Sequence, residues 1–259
     1  MKRLLYLLLF FIFVPQVMAE SNIEGADMIS STEKTYITTT LEDALGNVFE
    51  VNNIEVPEDQ LWNIDYLIAQ EEVKYTKKIN NRDIGPMVSY STSAKNIHMD
   101  YYHMNGTPSN KLHVYVWVGW ITTPAKRDYD IIAVRWTNGA TLTNATGKQQ
   151  TNDDRTTNYS YLGNNMKTSS NGVGISMNLH NNTSGHTLEM TVDITASNIG
   201  TVYGTYQHAT NASTTLAISK SYTFSSSGLG EVVYFSNPTY ASYYDGMNGV
   251  SLDYILNLN

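Results

Sequence analysis

The chain has 259 residues, no cysteine, and 24 acidic against 16 basic side chains, for a net charge of −8. With no basic stripe to neutralise phosphates, nucleic-acid binding is excluded, as is docking to an anionic membrane by charge alone. The absence of cysteine excludes disulfides, and an exported chain of this kind fits a Gram-positive bacterium.

At the start, Lys2-Arg3, the apolar run Leu4 to Val14, Pro15 and the small-residue exit Val17-Met18-Ala19 have the three regions of a secretory signal peptide. Residues 1–19 are therefore expected to be removed after Ala19, leaving a secreted protein. The apolar run is too short for a settled transmembrane helix, and no second one follows, so no stable transmembrane segment is expected.

The remainder divides in two on charge. From Glu20 to Asp100 there are 15 acids and 6 bases; from Tyr101 onward, 9 acids and 8 bases. Residues 20–85 form an acidic N-terminal segment. It opens on an aperiodic polar arm, Ser21 to Glu33, expected to be disordered. Tyr36 to Thr40 and Val48 to Val51 suit short strands. Pro57-Glu58-Asp59 marks a helix start, and Leu61, Ile64, Leu67 and Ile68 follow at helical spacing, predicting a helix over 58–71. Asn80 to Pro86 reads as a linker.

Residues 86–259 are expected to fold as an antiparallel β-sandwich of about ten strands, jelly-roll-like. Ile97 to Met104 places His98, Asp100, Tyr102 and Met104 on one face. Leu112 to Trp120 has Val114, Val116 and Val118 on one side and His113, Tyr115 and Trp117 on the other, a pattern for a strand covered on both faces. Asp130 to Trp136 is a further strand, and the polar stretch Thr137 to Asn158 shows little periodicity. Val173, Ile175, Met177 and Leu179 alternate with polar or small residues, as do Leu188, Met190, Val192 and Ile194. With Asn181 to Ser184 and Gly185 between them, these runs predict a hairpin. Its register sends His180 and His186 to opposite faces, against a metal site. Val202 to Tyr206, Thr214 to Phe224, Glu231 to Ser236 and Gly249 to Leu258 complete the set.

The chemistry-bearing residues are sparse. Asp128 and Asp130 share a strand face, but two carboxylates fall short of a Ca²⁺ site's six to eight oxygens, and Lys126 and Arg127 beside them suit a surface ion cluster. Asp153-Asp154 could add ligands, though no spacing requires it. No phosphate cradle, zinc-protease or nucleophile-elbow motif occurs, so no cofactor, metal or enzymatic activity is expected. Trp117, Trp120 and Trp136 are expected in the core. Tyr240, Tyr243, Tyr244 and Asp245, in a loop before the last strand, are the candidate binding residues, offering flat apolar faces rimmed by hydrogen-bonding groups.

The composite expectation is a secreted, non-catalytic β-sandwich that binds a cell-surface glycan, wall polymer or protein through exposed Tyr, Asn and Asp loops. Two alternatives remain. A β-pore former would use Thr215, Ala217, Ser219, Ser221 and Thr223 as the polar face of an amphipathic strand. A β-sandwich hydrolase would draw two carboxylates from Asp128, Asp130, Asp153, Glu189 and Asp245.

Overall fold

The computed structural model describes residues 25–80, 88–105, 107–108, 110–137, 139–181, 185–196, 200–226, 231–247 and 249–253. The expected signal peptide, most of the expected linker and the end of the expected last strand lie outside these residues.

Two antiparallel sheets face each other. The larger is built from β1 (Ala26–Glu42), β2 (Val48–Val56), β3 (Ser89–Met104), β4 (Lys111–Thr122), β6 (Ala140–Thr151), β7 (Thr156–Tyr159) and β10 (His186–Ala196), in the order β2-β1-β3-β4-β10-β6-β7. The smaller contains β5 (Tyr129–Trp136), β8 (Met166–Ser169), β9 (Gly172–Asn178), β11 (Thr201–Gln207) and β14 (Val250–Asp253), in the order β14-β11-β5-β9-β8. Between them lies one apolar core, to which β3 and β4 send Ile97, Met99, Val114 and Val116. From β10 come Met190 and Val192, and from the smaller sheet Ile132, Val134, Ile175 and Val250. This is the sandwich read from period-two alternation.

Each sheet carries a further layer. The helix α1 (Ile64–Asn80), preceded by a 3-10 turn over Glu58–Asn63, packs Leu61, Ile64, Leu67 and Ile68 on Ile37, Val56 and Ala94 at one end of the larger sheet's outer face. The apolar spacing is the expected one. The helix runs on past Glu71 because Lys74 pairs with Glu71, Tyr75 packs near Tyr90, and Lys78 reaches Glu50 on β2. Behind the smaller sheet, α2 (Leu216–Ser219), the two-residue ladder of β12 (Thr223–Phe224) with β13 (Val233–Tyr234), and α3 (Pro238–Ala241) bring Tyr222, Phe224, Val232 and Tyr244 onto Ile131, Ala133 and Tyr203. The strands buried on both faces are therefore β5, β9 and β11, in the smaller sheet. The outer face of β4 stays half-exposed, and Trp117 with it, whereas Trp120 and Trp136 are buried.

Four further expectations about the elements are corrected. The polar arm is strand from Ala26: it pairs with β3, Glu33 opposite His98 and Asp27 opposite His103, so partner hydrogen bonds order a segment that buries little of its own. The predicted hairpin is two strands in different sheets. Here β9 pairs with β5 and β8 in the smaller sheet, while β10 pairs with β4 and β6 in the larger. Thr137 to Asn158 holds β6 and β7. The core-facing positions of β6 include Ala145, Gly147 and Gln149, small or polar residues that hid the period; a Cβ at Gly147 would lie 2.7 Å from Ile175 Cδ1. Finally, Thr214 to Phe224 is not one strand. Thr215 caps α2 by accepting the Ile218 N–H at 3.2 Å, and only Thr223 and Phe224 are extended.

Candidate functional site

Register determines what the outer face of the larger sheet presents. Its pairings align Glu33, His98, Trp117, Glu189, Lys148 and Asn158 in one row across β1, β3, β4, β10, β6 and β7. A second row is Ser31, Asp100, Tyr115, Thr191 and Thr146, and a third is Tyr102, His113, Asp193 and Asn144. At the ordinary spacing of strands the first row is about 24 Å long.

These rows are held by charge and hydrogen bonds. His98 Nε2 lies 2.6 Å from Asp100 Oδ1, Tyr102 donates to Asp100 Oδ2 at 3.0 Å, and Glu33 stands 3.9 Å from the His98 ring. The bond to Asp100, then Glu33, pushes the His98 imidazole up to about 9 despite partial burial. Burial raises the Asp100 carboxyl, but bonds from His98, Ser31 and Tyr102 outweigh it and hold it below the usual range. One strand over, His113 Nδ1 lies 2.6 Å from Asp193 Oδ1, and Asn144 donates to Oδ2 at 3.3 Å. Burial, then the charge of Glu189 diagonally across on β10, raises the Tyr115 hydroxyl. At the end of the first two rows an open groove of about 450 Å³ is lined by Thr146, Lys148, Asn158, Tyr159, Glu189 and Thr191. The arrangement offers a ligand aromatic faces, both signs of charge and hydroxyls on a sheet.

A second constellation lies inside. Asp130 was expected at the surface; it is buried, its carboxylate taking the Tyr206 hydroxyl, the Ala209 N–H at 2.7 Å and His208 Nδ1 at 2.9 Å. The surface-cluster reading is corrected. An acid one step inside a strand end is drawn in because the end of β11 and the residues just after it supply its donors, while Lys126 turns away to Glu42 at 3.3 Å and the Gly46 carbonyl. Burial raises the Asp128 carboxyl. Beside Asp130, Lys95 on β3 is fully buried with Nζ against Asp245 Oδ2, and Asp245 Oδ1 accepts the His208 backbone N–H at 3.1 Å. Trp120 Nε1 donates to Tyr206 Oη at 3.1 Å.

The four candidate binding residues are divided by the fold. Tyr240 and Tyr243 are half-buried at α3 with ring centroids 6.3 Å apart. Tyr244 is buried and stacked on Phe235 at 4.8 Å, and Asp245 is buried against Lys95. Asp153 accepts from Arg155 Nε at 2.8 Å and from the Thr151 hydroxyl. His186 is buried with Nε2 3.0 Å from the His180 carbonyl, and His180 Nε2 lies 3.2 Å from Thr157. No three His, Asp or Glu side chains among the described residues are placed to share a metal ion. Alternation alone put His98, Asp100 and Tyr102 on one strand face and His113, Tyr115 and Trp117 on another. That the two faces are one surface, and that Lys95 meets Asp245, required register and long-range contacts with no local signature.

No protein-family model and no curated protein matches the chain. Among solved structures it is similar to the collagen binding domain of the Erysipelothrix rhusiopathiae surface protein RspB, at 12% identity and a TM-score of 0.27. That likeness covers 45% of this chain and spans about half, 56%, of that one. Among the described residues no helix is long and apolar enough to cross a membrane.

Proposed function

We propose that this chain is a secreted, non-catalytic bacterial binding protein that lays an extended segment of a cell-surface polymer, glycan or protein across the outer face of its larger sheet. The observation that carries this reading is the row from Glu33 to Asn158, which passes over the half-exposed Trp117 ring and ends in the 450 Å³ groove at Lys148 and Glu189. Aromatic faces give sequence-tolerant apolar contact, and the flanking carboxylates, lysine and hydroxyls give polar contact to either a sugar or a main chain. Tyr240 and Tyr243 at α3 offer a second aromatic surface.

The test is binding of the folded protein to immobilised purified wall polymers, glycans and extracellular proteins, with Trp117→Ala and the pair Tyr240→Ala/Tyr243→Ala as two arms. Loss of about 2 kcal/mol of binding in the Trp117 variant, with the tyrosine pair unaffected, is expected if the ring is a central contact. Loss confined to the tyrosine pair would move the site to α3. Hydrolysis of any panel member by the wild type would replace the reading with an enzymatic one.

A further inference from the structure

We propose that Lys95 and Asp245 condense to an intramolecular amide, an isopeptide bond between Nζ and Cγ, which staples β3 to the segment leading into β14.

The two side chains are in contact, Nζ against Oδ2, and neither is exposed to solvent at all. A buried ammonium and carboxylate have lost their hydration, and the neutral amide relieves that cost. Water, which would drive the reverse reaction, is kept out by aromatic rings. The Trp120 ring centroid lies 4.9 Å from Nζ and the Tyr206 centroid 5.5 Å, and Tyr36 stands opposite Lys95 on β1. Two reactants held in this way react as one, with effective molarities on the order of 10⁵ M or more when the alignment is good.

The surroundings also supply activation. Asp245 Oδ1 accepts the His208 N–H at 3.1 Å, a backbone donor aimed at the oxygen on which negative charge develops. The Asp245 carbonyl is held by Asn53 Nδ2 at 2.6 Å and its N–H donates to the His208 carbonyl at 3.0 Å, so the carboxyl is fixed from both ends. Asp130 touches neither reacting atom. It positions Tyr206 and His208 by hydrogen bonds to both.

The step balances without an oxidant or a co-reactant. A proton passes from the Lys95 ammonium to Asp245 Oδ2, giving an amine and a carboxylic acid. The Nζ lone pair attacks Cγ, and the carbonyl π pair moves onto Oδ1, held by the His208 N–H. Nζ then gives a second proton to the Oδ2 hydroxyl, the Cγ–Oδ2 bond breaks, and water leaves as the carbonyl re-forms. The staple would close a loop of some 150 residues in a chain that has no cysteine with which to do so.

The test is mass spectrometry of the full secreted chain after denaturation. Expected is an intact mass lower by one water than that of the sequence from its observed N-terminus. Trypsin should also fail to cut after Lys95, leaving a branched peptide that joins the Lys95 and Asp245 segments. Lys95→Met should restore the full mass, a reading that does not depend on whether the variant folds. Cleavage after Lys95 with linear peptides from both segments would overturn the proposal. So would a water deficit that persists in Lys95→Met, which would place the loss elsewhere, as in a cyclised N-terminal glutamate.

Discussion

Trp117 lies flat over Gly119: a Cβ built at residue 119 would fall 2.0 Å from the indole Cη2. The glycine is thus what lets the ring lie along the sheet instead of standing off it. Gly119→Ala should turn the ring away and weaken ligand binding by about 1 kcal/mol or more, while Gly119→Ala in a Trp117→Ala background should change binding no further. Equal losses in both backgrounds would uncouple the two residues. His98 makes a second residue-scale prediction. Its folded value of about 9 lies above the ordinary 6.5, so protonation favours the folded state. The stabilisation is complete below about pH 6.5 and is lost as pH rises to about 9, at most about 3 kcal/mol by linkage. Urea denaturation of wild type and His98→Gln across that window should show a decline in the wild type that the variant lacks. The same slope in both would remove His98 as its source.

At the scale of elements, the two alternating runs around Asn181 show what the sequence can and cannot say. Alternation correctly gave two strands that send one face to a common core, Ile175 and Met177 from β9 and Met190 and Val192 from β10, but the other face of β9, Gly174 and Ser176, is buried too. It could not give the pairing, since a strand facing another across a core and a strand beside it in a sheet demand the same pattern. The buried face of β5 hides a related limit: Ile131 and Ala133 point to a layer that includes Ala209, Tyr222, Phe224, Val232 and Tyr244, which no window around β5 contains. How that layer docks is testable. A Cβ at Gly174 would lie 2.3 Å from the Tyr222 hydroxyl oxygen, a buried oxygen without a hydrogen-bond partner among the described residues. Gly174→Ala should therefore cost about 1–3 kcal/mol of stability through overpacking. Tyr222→Phe alone should be neutral or stabilising, since it removes a buried polar group with nothing to satisfy it. Combined, Phe should recover part of the alanine's cost, because the clashing atom is gone. Strict additivity in a denaturation series would show that the layer meets β9 in some other way.

For the molecule as a whole, the informative segment is the acidic one before residue 86. Composition sets it apart, and its local signals (a proline-led helix, two short strands) describe its parts without saying what they attach to. The attachment is by backbone: β1 pairs with β3 from Met104 to Ser89, and β2 pairs in turn with β1. Tyr36 and Thr38 also close the inner face around Lys95, opposite Lys95 and Ser93. Without residues 20–85, β3 would become a bare edge, with its ladder groups unpaired from Ser89 to Met104 and with Ala94 and Asn96 stripped of α1 and β1. Long exposed edges of this kind recruit other chains. A chain of residues 86–259 produced alone should therefore aggregate or associate through β3, and adding residues 20–85 in trans should return a soluble complex. The readouts are light scattering and amide-exchange protection of β3. A soluble monomer of 86–259 with the melting temperature of a chain of residues 20–259 would instead make the acidic segment an appendage. It would also mean that Lys95 stays buried against Asp245 without Tyr36.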